Sequence, residues 1–187
     1  CHGGGDNQTG APPAAVEGLS ATSERSVGAH TAHVAGNTGW HKEINCDTCH
    51  NVPADVFSAG HIDNNVTLSF KNTAVAEGAV PQFNDNASCS AVYCHGETLL
   101  PGGSLTQPVW TQVDQTQSAC GTCHGLPPGG THTASTTCNA CHGEVIGAKT
   151  GGGNTWTDYA WVDASKHING AVEVNGGPGH DAAGWQT

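Results

Sequence analysis

The sequence predicts a mostly irregular chain with short helices and few short strands, organised around something other than aliphatic side chains. Three observations carry this expectation. Leu, Ile, Val and Phe supply 28 of the 187 residues, about 15 %, below the roughly 20 % at which a chain usually buries a protein core. Glycine and proline take 27 and 9 further positions, where they punctuate regular structure. Against this poverty stand 9 Cys and 12 His, with no Met. Only 11 % of residues are charged, so the chain is not a highly charged disordered tail either. Its length suits one domain over 1–187, with pseudo-repeat halves roughly 1–100 and 101–187.

The elements follow in order. Residues 3–24 are rich in Gly, Ala, Ser and Pro and read as a wrapping loop. His30 and His33 lie three apart, which predicts one helical turn with both rings on one face. Each Cys-rich motif predicts one or two helical turns. After His61 come Ile62, a turn-forming Asp/Asn pair and alternating apolar residues, as in a short strand over 66–70. His167 opens a copy of that segment, and the repetition predicts one shared role. Residues 101–104 and 151–153 are Gly-rich breakers, and 176–187 show no periodicity.

Charge excludes some functions. The formal net charge is −11, and the five cations, Arg25, Lys42, Lys71, Lys149 and Lys166, are scattered. Nucleic acid needs clustered cations to displace counterions, and an anionic membrane surface needs the same. No apolar run approaches the ~18 residues of a transmembrane segment.

The cysteines define the chemistry. Cys46/Cys49, Cys120/Cys123 and Cys138/Cys141 have CxxC spacing, and Cys89/Cys94 has four residues between. His50, His124, His142 and His95 follow the second cysteine in each case. Four such coincidences by chance come to about one in 10⁵, so the pattern is C-x-x-C-H. Two thiols so spaced reach the vinyl groups on one porphyrin edge and form thioethers, and the next residue brings an imidazole under the iron. This is the attachment pattern of haem c, in which case stacked haems replace the missing core. Two other readings remain. Structural zinc can take two CxxC pairs but gives no reason for the following His. Disulfides leave one of nine thiols over, and CxxC bridges are strained.

Cys1 is followed by His2 and Gly3, and the same Cys-His-Gly recurs after Cys94, Cys123 and Cys141. It reads as the end of a fifth CxxCH. An acylated N-terminal cysteine on a Gly-rich tether, or an unmodified thiol, are the alternatives.

Each iron takes two axial ligands. Without Met, a His/Met pair is impossible, and the histidines outside the motifs suffice to close every iron. His30, His33, His61, His132 and His167 are the candidates; His41 and His180 lack a supporting pattern. An iron closed by two histidines has no position for substrate and only gains or loses an electron. His30 and His33 share a face, and one iron has one vacancy, so they are expected to serve two adjacent haems. The aromatic residues are expected to pack on rings, with no relay role.

His30-x-x-His33, Cys46-x-x-Cys49-His50, His61-Ile62-Asp63, Cys89-x₄-Cys94-His95-Gly96, Cys120-x-x-Cys123-His124-Gly125-Leu126-Pro127-Pro128 and His167-Ile168-Asn169-Gly170 occur in that order. In this the chain resembles the CxxxxCH/CxxCH multihaem c-type cytochromes of Geobacter-like metal-reducing bacteria. The resemblance covers most of the chain. It implies electron transfer outside the cytoplasm, in the periplasm or at the cell surface, with redox proteins or extracellular acceptors as partners. It also implies self-association into filaments, with a ligand His donated across a subunit boundary. Relatives carry CxxCHG just before an Ala-Pro-Pro stretch, here Ala11-Pro12-Pro13, which favours haem at Cys1 and a chain that is a segment of a longer protein. The competing function is a multihaem oxidoreductase with one open iron, for which nothing in the sequence marks a site. A zinc-bound structural protein is the third.

Overall fold

The computed structural model describes residues 14–15, 18–34, 39–63, 65–99 and 102–175; the readings placed on Cys1, His2 and His180 lie outside the described residues. Its regular elements are α1 (His30–Val34), β1 (Gln82–Phe83), β2 (Cys89–Ser90), α2 (Asn139–His142), β3 (Ile146–Lys149) and β4 (Tyr159–Trp161). Short 3₁₀ segments stand between them, including Cys46–Thr48 and Tyr93–His95. The rest of the described chain is turn and irregular backbone, as the low aliphatic content predicts.

Three of the four Cys-His motifs carry the expected helical turn. Cys46–Thr48 opens the first, Tyr93–His95 closes the second, and α2 ends the fourth. The motif at 120–124 is built from turns and bends alone. Two antiparallel hairpins orient the flanks. β1 pairs with β2 in the register Gln82↔Ser90 and Phe83↔Cys89, which puts the first cysteine of the CxxxxCH motif on a strand. β3 and β4 pair between α2 and His167, with an irregularity between Ile146 and Lys149. Their connecting loop is drawn around Asp158, whose carboxylate accepts from the backbone N–H of Gly153 and Thr155 and from the Thr155 hydroxyl.

The strand expected over 66–70 does not form. Leu68 makes one antiparallel bridge, to His50. Ser69 N–H donates to Cys49 O (2.8 Å) and Lys71 N–H to Thr48 O (2.9 Å). The segment lies along a tight motif turn, and a turn offers isolated carbonyls and no ladder. The copy behaves in the same way. Ser69 stands eight residues after His61 and bonds the second cysteine of the first motif. Asn175 stands eight residues after His167, and its N–H bonds the second cysteine of the fourth, Cys141 O (2.6 Å). The repeat read from sequence therefore has a structural meaning: each copy straps a CxxCH turn.

The motifs also pack backbone on backbone. Gly96 has φ +90°, and a Cβ there would run into the Cys123 carbonyl, so only glycine serves at this contact. The buried apolar residues among those described are small: Val27, Ile44, Ala74, Ala79, Ala87, Val92 and Val145. By contrast Phe57 is 93 % and Ile62 85 % exposed. Isolated hydrogen bonds between loops, and not a layered core, join the described segments.

Candidate cofactor-binding site

The site begins with the protonation of the imidazoles. His30 Nδ1 lies 2.8 Å from Val27 O, and His33 Nδ1 lies 2.8 Å from Ala29 O. A carbonyl only accepts, so Nδ1 carries the proton and Nε2 keeps the lone pair. The same holds for His124 against Gly125 O (2.8 Å), His132 against Thr133 O (2.7 Å), His142 against Glu173 O (2.7 Å) and His167 against Trp40 O (2.7 Å). Ligating histidines are held this way, with the far nitrogen donating to a carbonyl that fixes ring and tautomer. His61 Nδ1 likewise sits 3.1 Å from Val56 O, on an exposed segment.

Three motif histidines face a histidine from outside the motifs. Ring centres are 6.1 Å apart for His30 and His50, with planes at 22°. They are 6.2 Å apart for His33 and His95 at 64°, and 6.2 Å for His132 and His142 at 11°. The helical turn thus divides its two rings between two motifs, one of them 62 positions away in sequence. His124 and His167 line one cavity of about 300 Å³ together with His132, His142 and the thiol-bearing Cys94, Cys120, Cys123 and Cys138. That volume is at the lower edge of ordinary ligand pockets.

Burial sets the charge state. It pushes His95 down to about 3 and His167 down to about 4, the latter despite its bond to Trp40. It lowers His30 and His33 as well. All four are neutral at pH 7, the form that binds metal. Burial also pushes Cys49 and Cys89 up to about 11 and Cys94 up to about 12, so these thiols keep their protons. The eight described cysteines are all free thiols. Among the described residues no three His, Cys, Asp or Glu side chains converge on one point, so the Cys₄ zinc arrangement has no counterpart there. His95 Nδ1 is buried and, with Thr98 Oγ1, lacks a hydrogen-bond partner among the described groups.

Tryptophans stand against three of the candidate non-motif histidines. Trp110 meets His30 edge-on at 4.7 Å and His33 at 5.7 Å. Trp40 and Trp161 flank His167 at 5.7 and 4.9 Å. Sequence reasoning expected aromatic packing but gave no partner, because these contacts join distant segments and leave no spacing signal. His41, which had no supporting pattern, rests against Trp40 at 4.6 Å.

Residues 88–124 match the family model described as the Geobacter CxxxxCH...CXXCH motif. The match is short and covers the second and third motifs. It links this stretch to a family defined by haem-attachment motifs. No curated protein and no solved structure matches the chain. Among the described residues no helix is long and apolar enough to cross a membrane.

Proposed function

We propose that the chain is an electron-transfer protein that holds haem c at four sites, each iron between two histidines. The observation that carries this reading is the near-constant separation of the paired rings. A metal–imidazole bond of about 2.0 Å, with each ring centre about 1.1–1.2 Å behind its nitrogen, puts two axial imidazoles about 6.3 Å apart. The three pairs stand at 6.1, 6.2 and 6.2 Å while their planes turn from 11° to 64°. Plain aromatic contacts range over about 4.5–7 Å with geometry. Two imidazoles that would hold one metal ion between them would keep one distance whatever the angle of their planes. Each pair joins one motif histidine to one other, as one iron per motif requires.

On this reading Cys46 and Cys49 would hold the group that His50 and His30 would ligate, and Cys89 and Cys94 the one for His95 and His33. Cys120 and Cys123 serve the pair His124–His167, whose two members share the cavity. Cys138 and Cys141 serve His142–His132. Haem supplies a one-electron Fe(III)/Fe(II) couple when bound. The chain's own part is to hold neutral imidazoles in place through carbonyl bonds and to wrap the group in backbone. With two histidines assigned to every site, no position is left for a substrate, which supports electron carriage over catalysis. The short family match supports haem chemistry, and the resemblance of motif order supports a place outside the cytoplasm, among redox proteins or extracellular acceptors.

Intact mass and optical spectra of the chain, produced with a haem-attachment system, test this. Four or more covalent haems and low-spin spectra are expected. A colourless product, or high-spin iron in the wild type, refutes the assignment.

A further inference from the structure

We propose that Trp110 is a positioning residue for the ligands of two sites at once; this rests on the haem reading of His30 and His33. One indole touches both rings, His30 at 87° and His33 at 34°. Each imidazole is therefore held on two sides. The Nδ1 edge is fixed by Val27 O or Ala29 O, and the indole stops rotation from elsewhere. The ring orientations of 22° against His50 and 64° against His95 then depend on where the indole stands.

The indole itself is pinned. Trp110 N–H donates to Ala87 O at 2.7 Å, in the turn after β1. Its Nε1 donates to Arg25 O at 2.8 Å, across 85 positions of chain. The preceding Val109 is clamped by the Gln117 side chain, whose Oε1 accepts from Val109 N–H and whose Nε2 donates to Val109 O. Gly28 makes the room: its φ is +43°, and a Cβ there would collide with the indole. Trp110 thus ties the segment preceding α1 to the CxxxxCH hairpin, and it sets two ligand pairs through one side chain.

Imidazole orientation governs the electron paramagnetic resonance signal of a low-spin ferric site. The experiment is that spectrum for the haem-loaded wild type, Trp110→Ala and Trp110→Phe, with haem count by intact mass. His30→Ala, His33→Ala, His132→Ala and His167→Ala assign the signals by removing one each. Trp110→Ala is expected to shift the two signals lost in His30→Ala and His33→Ala, and to leave the other two in place. Trp110→Phe keeps a ring against both imidazoles but loses the bond to Arg25 O, and is expected to shift the same two signals less. Wild-type signals throughout in both variants, or equal shifts at all sites, overturn the proposal. Should Trp110→Ala not take up its full complement, Trp110→Phe decides alone by the same criterion. A wild type without haem overturns the underlying reading instead, so the two failures are distinguishable.

Discussion

His95 differs from its counterparts in one atom. The Nδ1 of His124 and of His142 donates to a carbonyl, whereas that of His95 is buried without a partner among the described residues. Such a bond raises ligand basicity and favours the ferric state. Its absence, in a low-dielectric pocket, favours the ferrous state. The CxxxxCH site is therefore expected to have a higher midpoint potential than the sites of His124 and His142. A redox titration followed by resonance spectroscopy checks this: the signal that His33→Ala removes should disappear on reduction before those that His132→Ala and His167→Ala remove. The pairing of His30 with His50 and His33 with His95 gives a second expectation. Each alanine variant is expected to turn one site high-spin and to leave the others unchanged. Loss of the same signal in both variants would contradict two separate pairs. At this scale the cysteine pairs and the histidine after each stand out in the sequence by spacing, and His30, His33, His132 and His167 by the surplus of histidines outside the motifs; the first three of these four each face a motif histidine. Which faced which was not, because the match of His33 to His95 depends on how two segments cross.

Between residue and molecule stand the straps and hairpins. The two His-Ile segments bond second cysteines from the same offset, eight positions on, at Cys49 and Cys141. Equal construction predicts equal use, so His61 is expected to serve in the ligand role proposed for His167. His61→Ala and His167→Ala should each convert one iron to high-spin in the loaded protein, whether the His61 iron lies at the Cys1 motif or in another molecule. An unchanged spectrum for His61→Ala would reduce the repeat to a backbone device. The loop between β3 and β4 offers a test, made on the haem-loaded protein, that does not depend on which histidines ligate. Hydrogen bonds from Thr155 and Gly153 hold the Asp158 carboxyl below its ordinary pKa. A lowered carboxyl stabilises the fold above the unfolded value of about 3.9 and loses that contribution as pH falls through the folded one. Asp158→Ala is expected to lower the thermal midpoint at pH 7, with the gap to wild type closing in acid. The sequence predicted helical turns at the motifs, and three of four formed. It misjudged 66–70 because alternation in Val66, Leu68 and Phe70 marks extended backbone without saying what lies beside it. A motif turn lies there, and a turn cannot support a ladder.

At the scale of the whole molecule, burial of protein by protein among the described residues is slight. Ala74, Ala79 and Ala87 are among the few apolar residues closed from solvent, whereas Phe57, Ile62 and Val66 lie open. Ordering backbone costs about 1–2 kcal/mol per residue, which so small a core cannot offset. Chain made without haem attachment is expected to be disordered, with no cooperative transition in calorimetry or circular dichroism. A sharp melting transition in that material would show that protein contacts suffice. The irregular class was legible in the sequence through its 28 large aliphatic and Phe residues. The crossing of segments was not, since glycine at positions such as 28 and 96 permits an approach without naming what approaches.

The ring pairs close very unequal lengths of chain. His132 and His142 are near neighbours, His30 and His50 somewhat further apart, and His33 and His95 further still. The anchor of His167 on Trp40 O spans 127 positions. Loop closure costs about 0.6 kcal/mol more for each doubling of length, so the short pair forms on the least entropic outlay. On the proposed pairing, loop closure alone predicts that His132 and His142 meet first, the α1 pairs next, and Trp40 and His167 last, as the step that brings two distant segments of the chain together.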